Sequence, residues 1–376
     1  EGVLDEDTVA KGLHKLGRSA PGTEYVYLNL SLSGLELSDI KILTRYVHLQ
    51  KLELSCNKIN DLSCISHMPY LLELNASNNQ LTTYFAFKPP KNLKEVDFSH
   101  NQIPKMKDLS AYQTLTKLLL DYNNIEEIRG LEKCHSLTHL SLSHNRLIRI
   151  SGLENLPIKI LNLSSNQIEK ISGLDTLKTL HKLDLSNNKI SSLEGLEEHD
   201  LLETINLEEN QIAELHELQY LKDLPLLRVL NLLKNPVQEQ TDYWLLVIFT
   251  LLRLTDLDLK KISVEEKVAA VNKYDPPPEV VAAQDHITQV MYSLLQPQRV
   301  FDSTLRGTTE KLIRGCLQGH GVTGQGTMIL SKSRLVISLS SHLSSRPCHT
   351  TRAAYFGEEN RLDYYFISQE AFDKMV

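Results

Sequence analysis

Apolar and polar positions alternate along this chain with a long period. Leu49, Leu52, Leu54, Asn57 and Ile59 spell L-x-x-L-x-L-x-x-N-x-I. The pattern returns with its asparagine at Asn79, Asn101, Asn123, Asn145, Asn166, Asn188, Asn210 and Asn235. Successive steps are 22 residues, apart from one of 21 (145 to 166) and a last of 25 (210 to 235). The L-x-L pair has period two, which predicts a short strand with its leucines on one side. A single strand cannot bury that side. Copies stacked side by side can, as a parallel sheet over a continuous leucine core. The return segment has room for a tight 3₁₀-type turn and none for a long helix. The asparagine falls where the chain leaves the strand, and its amide is expected to bond backbone groups buried there. A degenerate copy precedes the series: Tyr25, Leu28, Leu30 and Leu35, with Ser33 in the asparagine place.

This is the leucine-rich-repeat signature. The resemblance implies an α/β solenoid: a horseshoe with a parallel concave sheet and helical caps. Residues 5–17 read as an amphipathic helix with Val9, Leu13 and Leu16 on one face and Asp5 or Asp7 at its start, so 1–24 is assigned as the N-terminal cap. Repeats occupy 25–237, with Phe85, Phe87, Pro89 and Pro90 expected to bulge on the convex side. Thr241 or Asp242 is expected to cap an apolar helix, Trp244 to seal the core, and Leu254, Leu257 and Leu259 to form a last strand-like segment, giving a second cap over 238–272. The closing Asn235-Pro236, Asp242-Tyr243 and Leu254-x-x-Leu257-Asp258 elements resemble the cap of short leucine-rich repeats of the protein-phosphatase-regulator type. That resemblance implies an intracellular setting. Residues 273–302 read as a proline linker (Tyr274-Asp275-Pro276-Pro277-Pro278) followed by a connecting helix, and the glycine- and serine-rich segment 303–347 as poorly ordered.

Strand residues facing away from the leucines line the concave face. Between the paired leucines they run Asn29, Glu53, Asn75, Asp97, Leu119, Ser141, Asn162, Asp184, Asn206 and Asn231. Asp121, Tyr122 and His139 join them. The face is acidic and amide-rich with apolar or aromatic spots. Such polarity keeps a sheet soluble; it also suits the grip of a protein partner, and the second reading is adopted. The candidate partner-binding residues are Glu53, Asn75, Asp97, Leu119, Asp121, Tyr122, His139, Ser141, Asn162, Asp184 and Asn206. His100, His139, His144 and His181 lack carboxylates at metal-ligand or catalytic spacing, so no metal site is assigned.

Net charge is −7, which argues against a general attraction to nucleic acid or an anionic membrane. Five unpatterned cysteines at 56, 64, 134, 316 and 348 suggest a reducing compartment. No apolar run reaches the roughly 18 residues of a membrane span. A cytoplasmic, cytoskeleton-associated protein is the expectation.

The last segment, 348–376, carries a second signal. Thr350-Thr351-Arg352, Gly357-Glu358 and Asp363-Tyr364-Tyr365-Phe366-Ile367-Ser368 resemble the guanylate-kinase motif T-T-R-x-x-x-x-G-E-x-x-x-x-D-Y-x-F-[VI]-S. The resemblance implies that Arg352 and Tyr364 contact a GMP phosphate, the arginine through a two-pronged fork. Tyr355 stands where that family has its second arginine, and Cys348 where it has serine. An ATP-holding G-x-x-x-x-G-K-[ST] loop is missing: 319–327 has glycines without Lys-Ser/Thr, and 326–333 has Lys332-Ser333 without the second glycine. The segment is therefore read as a truncated kinase-like remnant with no catalysis and no cofactor. Array, cap, proline linker and kinase-like segment, in that order, resemble the family that joins leucine-rich repeats to a guanylate kinase. That resemblance implies a scaffold in microtubule-associated sperm head and tail assembly, with a phosphatase-regulatory subunit or an ATP:GMP phosphotransferase as alternatives.

Overall fold

A computed structural model describes residues 2–295 and the strand segments 327–331, 334–338, 348–350 and 364–366. The chain divides into two units, Glu1–Ile262 and Ser263–Val376.

The first unit begins with α1 (Glu6–Gly12), whose N-cap Asp5 accepts the Thr8 N–H at 2.8 Å. The helix expected over 5–17 stops there. Leu13–Arg18 form β1, antiparallel to β2 (Tyr25–Ser31), and Leu16 is exposed. The first repeat strand would otherwise present an open sheet edge, and a second strand satisfies that ladder where a helix cannot. Then follow β3 (Lys51–Glu53), β4 (Glu73–Asn75), β5 (Glu95–Asp97), β6 (Lys117–Leu119), β7 (His139–Ser141), β8 (Ile160–Asn162), β9 (Lys182–Asp184), β10 (Thr204–Asn206) and β11 (Val229–Asn231). They pair in parallel, in chain order, with β12 (Asp256–Leu257) last in the series; β13 (Lys260–Lys261) closes the far edge as a hairpin. The register stacks like on like: Leu30, Leu52, Leu74, Val96, Leu118, Leu140, Leu161, Leu183, Ile205 and Leu230 form one buried column. Returns are tight, with 3₁₀ turns at Lys41–Arg45, Ser63–His67, Leu215–Tyr220 and Pro236–Glu239.

The asparagines do what their position predicts. Each Nδ2 reaches three carbonyls and each Oδ1 takes a backbone N–H from the preceding repeat: for Asn79, Leu54, Ala76 and Ser77 carbonyls at 3.0–3.1 Å and the Ile59 N–H at 3.0 Å. The first copy is shifted from the sequence reading. Ser31, not Asn29, aligns with Glu53, and Leu35, not Ser33, stands 22 residues before Asn57, whose Oδ1 receives the Leu35 and Leu37 N–H groups. Leu32 is the second buried leucine of that copy, so the L-x-L pair is Leu30–Leu32.

Phe85 and Phe87 do not bulge outward. They pack with Tyr84, Phe98 and Tyr112, Phe85 lying 4.4 Å from Tyr112 and 5.1 Å from Phe98 between ring centres. Rings are large enough to fill a return loop that the leucine pattern leaves empty. In the C-terminal cap, α2 (Tyr243–Thr250) follows Asp242, which is left-handed and makes no capping bond through its side chain. Tyr243, Val247 and Ile248 are the buried residues of α2, and Trp244 is only half-buried. Leu259 sits at the hairpin tip, 76% exposed, so the last strand is shorter than expected. Asp258 takes over the end of the ladder: it accepts the Leu232 N–H at 2.6 Å, the Gln238 amide at 3.0 Å and the Tyr243 hydroxyl at 2.7 Å.

The second unit opens with α3 (Val264–Tyr274), started by a capping box in which Ser263 and Glu266 satisfy each other's N–H groups. The proline stretch is a short break before α4 (Pro278–Leu295). Within 303–347 the described residues form a hairpin, β14 (Thr327–Ser331) with β15 (Arg334–Ser338). Near the end, β16 (Cys348–Thr350) pairs in parallel with β17 (Tyr364–Phe366).

Candidate functional site

Each short strand sends its middle residue into the core and its neighbours to the concave side. The last residue of each strand makes one column across the sheet: Glu53, Asn75, Asp97, Leu119, Ser141, Asn162, Asp184, Asn206 and Asn231. Most of its polar members fold back on their own chain. The N–H two residues on donates to Glu53, Asn75, Asp97, Asn162, Asp184 and Asn206 at 2.9–3.1 Å. These N–H groups lie where the strand ends and would otherwise lack a partner. Acidic and amide character along this column is thus in large part a structural requirement.

Leu119 interrupts it. A leucine accepts nothing, and the bonds are rerouted around it. Asp121 N–H donates to Ser99 Oγ at 3.2 Å, and Asp121 Oδ1 accepts the Ser143 N–H at 2.8 Å and the Ser141 hydroxyl. Asp121 and Ser141 are therefore occupied internally, and Ser141 is buried. Glu53, Asn75, Asp97 and Leu119 come together with Lys51, Glu73, Glu95 and Lys117 around a shallow dent of about 190 Å³ over β3–β6. Asn162, Asp184 and Asn206 lie further along, on β8–β10. His139 is half-buried on β7; burial, then the Lys117 charge, holds its imidazole below the ordinary value, against the pull of Asp121 and Glu95.

A further column lies just before each asparagine, and all its members from Cys56 to Lys234 have positive φ, 51° to 57°. Here the rings of His100, Tyr122 and His144 stack face to face. Centres are 4.1 Å apart for His100–Tyr122 and 3.9 Å for Tyr122–His144, with planes within 12°. Tyr122 was legible in the sequence as a lone aromatic spot. The stack was not, although rings spaced by one repeat at one repeat position are its signal. Among the described residues no three His, Cys, Asp or Glu side chains are grouped to hold a metal. Arg352 lies outside the described residues, and Tyr364 begins β17 opposite Cys348.

A thirteen-stranded, almost wholly parallel sheet over asparagine-laddered turns defines a leucine-rich-repeat solenoid. Family models agree: leucine-rich repeat at residues 157–284, leucine-rich repeats (two copies) at 113–155 and leucine-rich repeat at 47–66. The three matched stretches place leucine-rich repeats along this chain, in agreement with the solenoid. Over its whole length it is 64% identical to the human leucine-rich repeat and guanylate kinase domain-containing protein and 63% identical to the mouse protein of that name. It spans just under half the length of these relatives, 45% and 46%. A stretch of 69 residues, 18% of this chain and 20% of the relative, is 39% identical to leucine-rich repeat-containing protein 23 of Bos taurus. Among solved structures, an internalin of Listeria monocytogenes matches with 21% identity over 65% of this chain and 92% of its own, at a TM-score of 0.40. The functional domain of InlJ from the same organism matches with 19% identity over 65% and 59%, at 0.46. Among the described residues no helix is long and apolar enough to cross a membrane.

Proposed function

We propose that this chain is a protein-interaction scaffold that grips its partner on the concave face of the repeat sheet. The observation that carries the reading is the break at Leu119. A column of polar acceptors required by the backbone is interrupted there by an aliphatic side chain, and the Asp121 N–H that this position would have accepted goes to Ser99 Oγ instead. An apolar group beside a ring stack on a mostly polar face is the composition of a contact hot spot. Affinity purification with Asp97→Lys and Asp184→Lys variants tests the reading: loss of the captured partner with a variant whose melting is unchanged supports it, and unchanged capture with both removes the concave face.

The finer reading places that scaffold in the cytoplasm, on microtubule structures of the forming sperm head and tail. It rests on the likeness to the human and mouse relatives. Co-sedimentation with microtubules in extracts of spermatid-stage cells is its test. The relatives' name also supports a second reading, GMP contact by Arg352 and Tyr364 within a complete kinase core. Turnover of ATP and GMP by this chain, abolished by Arg352→Ala, would put catalysis ahead of scaffolding. A phosphatase-regulatory role is supported by the closing cap around Tyr243 and Asp258, and recovery of a phosphatase catalytic subunit in the same purification would favour it.

A further inference from the structure

The dent over β3–β6 is lined by four carboxylates, Glu53, Glu73, Glu95 and Asp97, against two ammonium groups, Lys51 and Lys117. One pair cancels locally, Lys51 Nζ to Glu73 Oε2 at 3.1 Å. Glu53 is engaged at both oxygens, by the Ser55 N–H and the Asn75 amide at 2.9 Å each. The remaining charges differ in kind. Asp97 lines the dent and uses Oδ1 for the Ser99 N–H, with no hydrogen bond or ion pair at Oδ2 among the described residues, and the Glu95 side chain forms neither among them. Its register partner Lys117 forms no ion pair among them either. Leu119 lines the same dent, and the His100–Tyr122–His144 stack stands where that strand exits. Both faces of the Tyr122 ring are covered, so the three rings hold one another and form a rim already ordered before binding, which lowers the entropy cost of contact.

We propose that this dent receives an extended protein segment in which an arginine or lysine neighbours an apolar side chain. The cation sits between Glu95 and Asp97, and the apolar neighbour lies on Leu119. The inference rests on the concave-face reading above and adds the partner's chemistry to it. Charge complementarity selects the occupant: carboxylates exceed ammonium groups two to one, which repels phosphate groups and acidic peptides and attracts a basic one. Guanidinium forks match carboxylate oxygens by two parallel bonds, so arginine is the stronger fit.

The test uses the full chain and a random-peptide phage library. Selected peptides are re-made with a fluorescent label, and their affinities are measured by anisotropy for the wild type, for Glu95→Gln/Asp97→Asn, for Asp184→Lys and for a control at the exposed Glu169, Glu169→Gln. Asp97→Asn keeps an acceptor oxygen for the Ser99 N–H, and circular dichroism melts confirm that each variant folds. The expected result is enrichment of arginine or lysine beside an apolar residue, with affinity falling at least about ten-fold in the double variant and unchanged in Glu169→Gln. Acidic or uncharged selections overturn the proposal, as do basic ones that the double variant binds equally. Selections weakened by Asp184→Lys but not by the double variant overturn it while leaving the concave-face reading standing. Selections insensitive to every concave change, Asp97→Lys and Asp184→Lys included, end both.

Discussion

Asn188 offers a sharp test of how the repeats hold together, because its four bonds are not equally replaceable. Its Oδ1 accepts the Ile168 N–H at 3.0 Å, and its Nδ2 faces the carbonyls of Leu163, Leu185 and Ser186 at 3.1, 3.0 and 3.1 Å. Truncation to alanine leaves each carbonyl a second donor. Leu163 keeps Asn166, Leu185 keeps Asn210, and Ser186 keeps the Ser165 N–H. Only the Ile168 N–H loses its partner outright, in a residue with no exposed surface. An orphaned buried donor costs about 1–3 kcal/mol, and three weakened carbonyls add a smaller amount, so Asn188→Ala should cost about 2–3 kcal/mol. Asn188→Asp separates the two contributions. It restores an acceptor for Ile168 but aims a buried carboxylate at three carbonyls, and it should be worse than alanine. Urea unfolding followed by Trp244, the single tryptophan, and by circular dichroism reads the effect. With a slope of roughly 2–3 kcal/mol per molar for a chain of this size, the alanine midpoint should drop by about 1 M. A drop under about 0.2 M, or an aspartate variant as stable as the wild type, would refute the accounting.

Four further outcomes follow from other contacts. Tyr243→Phe removes one of three groups bonded to the buried Asp258 and should cost about 1–3 kcal/mol in the same unfolding assay, while Asp258→Ala, which strands the Leu232 N–H as well, should cost more. Gly195→Ala should cost more than about 2 kcal/mol: its φ is +102° and a Cβ would stand 2.1 Å from the Ile171 carbonyl oxygen, with no flexible side chain to yield. Burial, then the Lys178 charge, holds the His199 imidazole below its ordinary value, against Glu197, Asp175 and Asp200, and its Nε2 has no partner among the described residues. The unfolded chain therefore binds the extra proton as pH falls below about 6.5, stability declines over that range, and His199→Gln should flatten the decline in midpoints measured from pH 7 to 5. In a Cys316→Ser/Cys348→Ser background one thiol, the exposed Cys56, should react quickly with a disulfide reagent at pH 8, because burial pushes the Cys64 and Cys134 thiols up to about 12 and about 11.

Periodicity carried the fold because each repeat poses the same problem. Leucines at fixed spacing define the core column, and an asparagine at fixed spacing reaches the same carbonyls in every turn, so strand order, register and tight returns were legible from Leu49 to Asn235. Where the repeat problem changes, the pattern misleads. Leu13 and Leu16 have helical spacing, yet the open edge of β2 draws them into a strand. Ser33 looks like a worn asparagine, yet the first copy has no repeat before it whose backbone an asparagine would serve, and Leu35 fills the place. Phe85 and Phe87 seemed surplus to the leucine pattern, yet the ring cluster around Phe98 buries them. The candidate site was legible as a list of outward-facing residues. Its internal division was not, because which of Asp97, Asp121 and Ser141 serves the backbone depends on hydrogen bonds that cross from one repeat to the next.

That division changes what an acidic concave face means. If every carboxylate and amide on it were free, its charge would measure its affinity for partners. Here the strand-end column is polar because the chain leaving each strand needs an acceptor, as the bonds to Glu53, Asn75, Asn162, Asp184 and Asn206 show. Substituting one of these removes a structural bond along with a surface group, so a lost partner would not by itself locate the contact. The informative positions are those the backbone does not use: Glu95, whose carboxylate is uncommitted among the described residues, Leu119, which forces the ladder to detour, and the exposed stack centred on Tyr122. They cluster on neighbouring repeats, from β5 to the turn after β7. A scan confined to Glu95→Gln, Leu119→Ser and Tyr122→Ala leaves the ladder intact, so any loss of binding with unchanged melting belongs to the contact itself. Equal loss of binding and of stability across the three would mean that the detour around Leu119 serves the fold alone.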